Sequence, residues 1–245
     1  MTPTDMLYAT SVLLLAYFVR GISGFGSGLI AVPLLALRFP LQEVVPFMLI
    51  MDFSASALVG GVSFKQVEWP EIRRLMPLSL IGVVLGTSLL VSLPPSILLT
   101  LLGVFVLAFA LRSLLLHPGK FQPISTLWAH PAALTGGAVG GLFGTGGPPY
   151  VIYLSHRIQD KFRLRATLSG LFFLEGLFRI ATFLIVGLLY GSAVWLNSLM
   201  AAPIVFTALY AGSHVHARLT NTQMTHLIGV LLLVSSASLL VKAWI

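Results

Sequence analysis

Four charged side chains stand inside otherwise apolar stretches of the sequence: Arg20, Asp52, Glu175 and Arg179. A charge in a long apolar segment is costly, so it is kept mainly where it binds a ligand, carries a proton or pairs with another charge. The two arginines are candidate anion ligands, because a guanidinium presents a rigid fork of N–H donors that matches oxyanions. The two carboxylates are candidate proton carriers, or they only balance the arginines.

The spacing of these charges leaves alternatives open. Glu175 and Arg179 are four residues apart, so they can form an ion pair on one helical face. Arg20 either binds an anion, pairs with Asp52, or extends its charged end toward a membrane surface. Residue type alone does not choose between these roles.

Two glycine-rich stretches, residues 21–28 and 140–149, interrupt apolar runs where a spanning helix would have its middle. Glycine permits positive φ, and Pro148 and Pro149 favour the start of a new helix. We therefore predict two hairpins that turn inside the membrane. Irregular backbone at that depth must be buried in protein or line a polar cavity. Close packing of small residues, as in Gly136-x-x-x-Gly140, is the alternative explanation.

The return arm of each hairpin would begin with free N–H groups and the positive end of a helix dipole. Two such ends meeting near the membrane midplane would form an anion site, to which Ser23, Ser27 and Thr145 add hydroxyl donors. Asp52 and Glu175 are the candidate coupling residues. The predicted substrate-binding residues are Arg20, Ser23, Gly24, Phe25, Gly26, Ser27, Gly28, Phe143, Gly144, Thr145, Gly146, Gly147, Pro148 and Arg179.

The composition places these residues in a membrane. Of 245 residues, 57% are hydrophobic and 9% are charged, against about 25% charged in a soluble domain, and the mean hydropathy is +0.99. We predict an all-α polytopic membrane protein with one domain, residues 1–245. At about 20 residues per span, there is material for eight segments, and the apolar runs lie at 6–37, 44–64, 75–93, 96–116, 127–155, 164–189, 193–213 and 222–244.

The polar residues argue against several other classes of protein. The net charge is +7, but the basic residues lie in short loops between apolar runs, which membrane topology explains better than nucleic-acid binding. The sequence has no cysteine and no metal-ligand or nucleotide motif. We therefore expect neither a metal nor a cofactor, and the expected partners are the lipid bilayer and a small ligand.

The sequence is internally duplicated. Phe25-Gly26-Ser27-Gly28 recurs 118 residues later as Phe143-Gly144-Thr145-Gly146. At an offset of 126, Pro77 and Gly86 correspond to Pro203 and Gly212, and Gly103-Val104 to Gly229-Val230. We predict two repeats, residues 1–120 and 121–245, each with one glycine-broken hairpin and three transmembrane helices. Asp52 and Glu175 then lie at comparable depths in equivalent helices.

The distribution of Lys and Arg predicts that the repeats are inverted. If all eight runs crossed the membrane, the loop charges would divide six against six, which violates the positive-inside rule. If runs one and five are hairpins with arms of about 14 residues, which are ~20 Å long, the division is ten against two. Both termini then face the periplasm. The ten are Lys65, Arg73, Arg74, Arg112, Lys120, Arg157, Lys161, Arg163, Arg165 and Arg218, and the two are Arg38 and Lys242.

Inverted repeats with broken helices around a midplane site are a recurring plan of secondary transporters. The sequence therefore predicts an alternating-access carrier of a small anion, with protons as a candidate coupling ion. A passive anion channel is the nearest alternative, and a membrane-embedded enzyme is the alternative from another class. A homo-oligomer is compatible with the sequence.

The two glycine turns resemble those of the sulfite exporter TauE/SafE family. The matching stretches are residues 24–33, GFGSGLIAVP, and residues 141–149, GLFGTGGPP. The length, the number of runs and the duplicated layout are also similar, so the resemblance covers essentially the whole chain. It implies a carrier of the bacterial inner membrane that exports sulfite, sulfoacetate or a related organosulfonate.

Overall fold

A computed structural model describes residues 2–115, 123–215 and 221–244, and these residues form an all-helical protein without strands. The predicted repeat boundary at residues 120 and 121 lies outside the described residues, as do Lys120 and Arg218. The α-helices are α1 Pro3–Ser23, α2 Ser27–Leu35, α3 Leu41–Ser63, α4 Trp69–Ser92, α5 Pro95–Leu115, α6 Ala129–Phe143, α7 Gly147–Ser155, α8 Lys161–Ile185, α9 Ser192–Val215 and α10 Asn221–Trp244.

Both long apolar runs break at their glycines, as predicted. Gly24, with φ 83°, caps the carboxyl end of α1, and Gly144, with φ 71°, caps that of α6. These left-handed conformations are easily adopted only by glycine. Helices α2 and α7 each begin three residues after that glycine. Pro148 lies in the first turn of α7, where a missing N–H costs nothing.

The predicted arm length of about 14 residues is wrong for three of the four arms. Helices α1 and α6 have 21 and 15 residues, whereas α2 and α7 have 9 each. Helix α1 is long because its turn lies 18 residues into the apolar run that begins at residue 6, and because it starts three residues before that run. Thr2 and Asp5 form a capping box at its exposed amino end, which satisfies the first backbone N–H groups of the helix.

Six described helices are long and apolar enough to cross a membrane: α1, residues 41–58 of α3, α4, α5, α8 and α9. The predicted six crossings excluded α1 and included α10. In α10 the apolar segment found within the described residues is shorter, Leu232–Trp244. The number of helices that could cross a membrane thus equals the predicted number, but by length and hydropathy α1 is one of the six and α10 is not.

The helices of the two halves pack in matching pairs. Helix α1 contacts α9 and α4 contacts α6, while α3 packs on α8 and α5 on α10. The glycines that the duplication aligned lie in equivalent contacts, since Gly86 of α4 lies against the α6 backbone and Gly212 of α9 against the α1 backbone. Gly103 lies against Leu240, and Gly229 against Leu114.

Two of these pairs, α3 with α8 and α5 with α10, join helices at equivalent positions in the two halves, and the helices of each pair run antiparallel. Along α3 and the turn after it, Phe53 stacks on Phe173 with ring centroids 5.1 Å apart, and the Glu68 N–H donates to Thr167 Oγ1 at 3.0 Å. Residue numbers therefore increase in opposite directions in α3 and α8. The contacts of Gly103 and Gly229 give α5 and α10 the same relation.

Each hairpin turn inserts a phenylalanine into the apolar cluster formed mainly by the other half. Phe143 is buried, at 2% exposure, in the cluster formed chiefly by α1, α2, α3 and α5, and its ring lies 6.3 Å from that of Phe105. Phe25 is half-buried and packs on the cluster formed by α4, α6, α7 and α8. The two turns therefore interlock at the centre of the molecule.

Candidate functional site

A small cavity of about 50 Å³ lies where the two glycine turns meet. Both turns, α1, α3 and α8 contribute to its wall. All four charges that the sequence places inside the apolar runs line it, together with most of the predicted turn residues. The lining residues are Arg20, Phe25, Gly26, Ser27, Gly28, Leu29, Leu49, Asp52, Phe53, Ser56, Gly144, Thr145, Gly146, Gly147, Phe172, Glu175, Gly176 and Arg179.

The turns are in direct contact at Gly28. A Cβ atom there would lie 2.9 Å from the Gly144 carbonyl oxygen and 3.2 Å from Thr145 Cβ. Any side chain at position 28 would therefore push the turns apart. The close approach brings the amino ends of α2 and α7 to one cavity. The free N–H groups of a helix start come mainly from α2, because Pro148 and Pro149 in the first turn of α7 have no N–H.

Arg20 is held by a dense network on the side of the cavity formed by the first half. It forms an ion pair with the Asp52 carboxylate, and it donates from Nη1 to Ser27 Oγ at 2.9 Å. It also donates from Nη2 to Ser56 Oγ at 2.6 Å and to the Asp52 carbonyl at 3.2 Å. Asp52 Oδ1 accepts further bonds from Tyr17 and Ser27, both at 2.7 Å. Of the interactions left open for Arg20, the structure contains the pairing with Asp52, and contact between Arg20 and an anion stays a prediction.

Glu175 lies across the cavity with a much smaller network. Its Oε1 accepts a hydrogen bond from the Tyr150 hydroxyl at 3.3 Å, and that hydroxyl lies 2.7 Å from Ser79 Oγ. The ion pair that the spacing allowed between Glu175 and Arg179 does not form, although both side chains are described. The hydrogen-bond donor that Glu175 has in this structure is Tyr150 of α7.

Arg179 is buried, at 7% exposure, and its Nε and Nη2 atoms have no hydrogen-bond partner. Its guanidinium lies over the Phe183 ring, 5.8 Å from the centroid, and Nη2 lies 3.5 Å from the position of a Cβ on Gly144. Thr145 Oγ1, on the same turn, is also buried without a partner. Unsatisfied buried donors are costly, so three of them around one cavity are suited to an anion that accepts from them.

Four predicted site residues lie outside the cavity wall. Ser23 Oγ lies 2.9 Å from the Val19 carbonyl oxygen and 2.6 Å from that of Phe25, either of which accepts its proton. Gly24 lies against the Arg165 side chain. Phe143 and Pro148 are buried in packing. These four shape the turns, and direct contact between any of them and an anion stays a prediction.

The sequence reasoning missed Tyr17, Ser56, Ser79 and Tyr150. Ser56 could have been found, because it lies one helical turn after Asp52 and so faces the same side of α3. The two tyrosines and Ser79 have no such signal, since their partners come from other helices. Within the described residues, no group of three or more His, Asp or Glu side chains is placed to hold a metal ion.

The family model for the sulfite exporters TauE/SafE matches residues 9–239, which is nearly the whole chain and includes both turns. The chain belongs to the TauE/SafE sulfite exporter family. This TauE/SafE protein is therefore a membrane transporter, and the membrane-embedded enzyme considered above is excluded.

Among curated relatives of this TauE/SafE chain, a Comamonas testosteroni protein named "Probable inner membrane transporter protein TsaS" is 28% identical over 199 residues. The match covers 80% of this chain and 82% of the relative. No solved structure gives a significant match.

Proposed function

We propose that this chain is a secondary carrier that exports sulfite, or a small organosulfonate of the sulfoacetate type, across the bacterial inner membrane. The observation that carries the proposal is Arg179, a buried arginine with two unpartnered N–H-bearing nitrogens beside a cavity where two hairpin turns meet. The family description names sulfite, and the name of the Comamonas relative places that protein in an inner membrane.

The anion is held by Arg179 and Thr145, with the free N–H groups of α2 as further donors. An arginine fork binds two oxygens of an oxyanion at once, and each hydrogen bond to a charged group contributes about 1.5–3 kcal/mol. Arg20 does not act as the main ligand, because Asp52, Ser27 and Ser56 already occupy its donors. It holds the first turn in place against α3.

The proposed topology is one domain of two inverted repeats, with two hairpins and six crossings, and with both termini in the periplasm. The antiparallel pairing of α3 with α8 and of α5 with α10 supports an inverted relation, since parallel repeats would pair these helices in parallel. The ten-to-two division of basic residues supports the orientation. A reporter that is active only in the periplasm should be active when fused at Ile245, and a reporter that is active only in the cytoplasm should be inactive there. The reverse result would overturn the topology.

Alternating access around this cavity is proposed to be coupled to protons through Glu175. Asp52, the other candidate, is the weaker one because it is engaged by Arg20, Tyr17 and Ser27. Glu175→Gln should remove the dependence of sulfite transport on a proton gradient in proteoliposomes. Unchanged gradient dependence in both Glu175→Gln and Asp52→Asn would refute proton coupling.

The substrate and the carrier mechanism are tested together by flux in proteoliposomes. Sulfite and sulfoacetate should show saturable counterflow, and taurine, thiosulfate and small carboxylates serve as competitors. Arg179→Gln should abolish the saturable component at the same protein density. A high unitary conductance without counterflow would favour the passive anion channel. Saturable carboxylate flux without sulfite flux would show that the substrate is a carboxylate and not a sulfite or sulfonate.

A further inference from the structure

Arg165 is placed differently from what its position near the start of α8 suggests. The sequence groups it with the basic loop residues, yet its side chain reaches inward to the first hairpin turn. Nη2 donates to the Gly21 carbonyl oxygen at 3.1 Å, and Cγ would lie 2.6 Å from a Cβ on Gly24. Phe25, the next residue of that turn, lines the central cavity. Arg165 thus lies between the cavity and the end of the molecule where Arg157 and Arg163 pair with Glu71 and Glu68, which we call the basic end.

The guanidinium of Arg165 is under-used as a donor. Arginine carries five N–H donors, and the structure gives Arg165 a single hydrogen bond, while its buried Nε has no partner. Other arginines at the basic end have carboxylate partners, as Arg163 pairs with Glu68 and Arg157 with Glu71. Capping the carboxyl end of α1 accounts for one donor of Arg165 and leaves Nε unexplained.

Arg165 shares this property with Arg179. Within the described part of the chain, these two arginines have buried side-chain nitrogens without a partner. Both belong to α8, and each lies beside one hairpin turn, Arg165 at Gly24 and Arg179 at Gly144. They are 14 residues apart, or about 21 Å along the helix axis. One helix thus presents an unsatisfied cation to each turn.

We propose that Arg165 is a second anion-contacting residue, which binds the oxyanion on its way from the basic end of the molecule to Arg179. The inference rests on the proposed function, because it places Arg165 on the approach to the same site. Arg165 would govern capture of the anion from the basic side, and Arg179 would govern its binding at the centre.

The test measures sulfite uptake into inside-out and right-side-out vesicles that contain Arg165→Gln, Arg165→Lys or wild-type protein. Arg165→Gln should raise KM for uptake from the basic side about tenfold, the loss of one charge-assisted hydrogen bond, with the maximal rate within about twofold. Arg165→Lys, which keeps the charge without the fork, should give an intermediate KM. Arg163→Gln is the matched control, because it removes an equal charge two residues away.

An unchanged KM in Arg165→Gln, an equal rise from both sides, or an equal effect of Arg163→Gln would overturn the role of Arg165. A purely structural role would lower the maximal rate or the amount of folded protein without a one-sided change in KM. If Arg179→Gln abolishes transport while Arg165→Gln has a normal KM, the proposed function stands and this inference alone fails. Absence of saturable sulfite flux in wild-type protein would contradict both.

Discussion

The two halves of the cavity contain similar residues in opposite states. In the first half, Arg20 and Asp52 satisfy each other and are further bonded by Ser27 and Tyr17. In the second half, Glu175 has one tyrosine donor, and Arg179 has unpartnered nitrogens. The two turns therefore have similar backbone conformations, whereas the polar networks beside them differ.

This difference separates a structural charge from a candidate binding charge. A buried ion pair with complete hydrogen bonding stabilises a particular arrangement of helices. A buried cation without a partner destabilises the protein alone and gains its partner when an anion arrives. The first half is thus expected to hold the hairpin in place, and the second half to bind the transported anion.

The largest effect on stability is expected from breaking the first network. Asp52→Asn should lower the free energy of unfolding by roughly 3–5 kcal/mol, because it leaves the buried Arg20 charge without its partner. The double variant Arg20→Met/Asp52→Leu should recover most of that loss. Thermal unfolding in detergent measures both.

Arg179→Met is the control from the other half of the cavity. It should leave stability unchanged within about 1 kcal/mol or increase it, because this charge has no carboxylate partner to lose. If Arg179→Met proved as destabilising as Asp52→Asn, the contrast between the two halves would be wrong.

Ser27 and Thr145, which the duplication aligns, should respond to substitution in opposite ways. Ser27→Ala removes bonds to Arg20 and Asp52 and should cost about 1.5–3 kcal/mol of stability, with KM for sulfite within about twofold of wild type. Thr145→Val keeps the shape of an unpartnered side chain, so stability should hold while KM rises about tenfold. Unfolding curves and sulfite flux measured on the same preparations test both variants. A normal KM with lost stability in Thr145→Val, or a raised KM with normal stability in Ser27→Ala, would contradict the prediction.

The smallest effect on stability is expected at Tyr150, which bonds Glu175 in the smaller of the two networks. Tyr150→Phe removes the hydroxyl between Ser79 and Glu175 and should cost about 1 kcal/mol. Tyr17→Phe should cost about 1.5–3 kcal/mol, because its bond to the paired Asp52 carboxylate is shorter. Unfolding of both variants under identical conditions compares them directly, and a larger loss in Tyr150→Phe would reverse the order.

Much of the site could be predicted from the sequence, because the signals are local. Glycine clusters inside apolar runs mark the turns, and the turns of residues 24–28 and 144–147 do meet around intramembrane charges. The broken helices follow from backbone chemistry, since positive φ at Gly24 and Gly144 needs glycine.

Partner choice could not be predicted, because it depends on helices that are distant in sequence. The spacing of Glu175 and Arg179 allows a pair, but Tyr150 from α7 takes the carboxylate instead. The arm lengths differ from the prediction because each turn lies nearer the end of its apolar run than the start, so the first arm is longer than the second. A capping box at Thr2 extends α1 further.

The most direct test of the central claim is equilibrium binding of radiolabelled sulfite to purified protein in detergent. Wild-type protein should bind sulfite saturably, and Arg179→Gln should weaken binding at least about 100-fold, the loss of two charge-assisted hydrogen bonds. The Arg20→Met/Asp52→Leu variant should bind within about threefold of wild type, because the two charges that it removes pair with each other in the wild-type protein and are not the proposed anion ligands. Normal binding in Arg179→Gln, with binding lost in the double variant, would contradict the assignment of the anion site to Arg179.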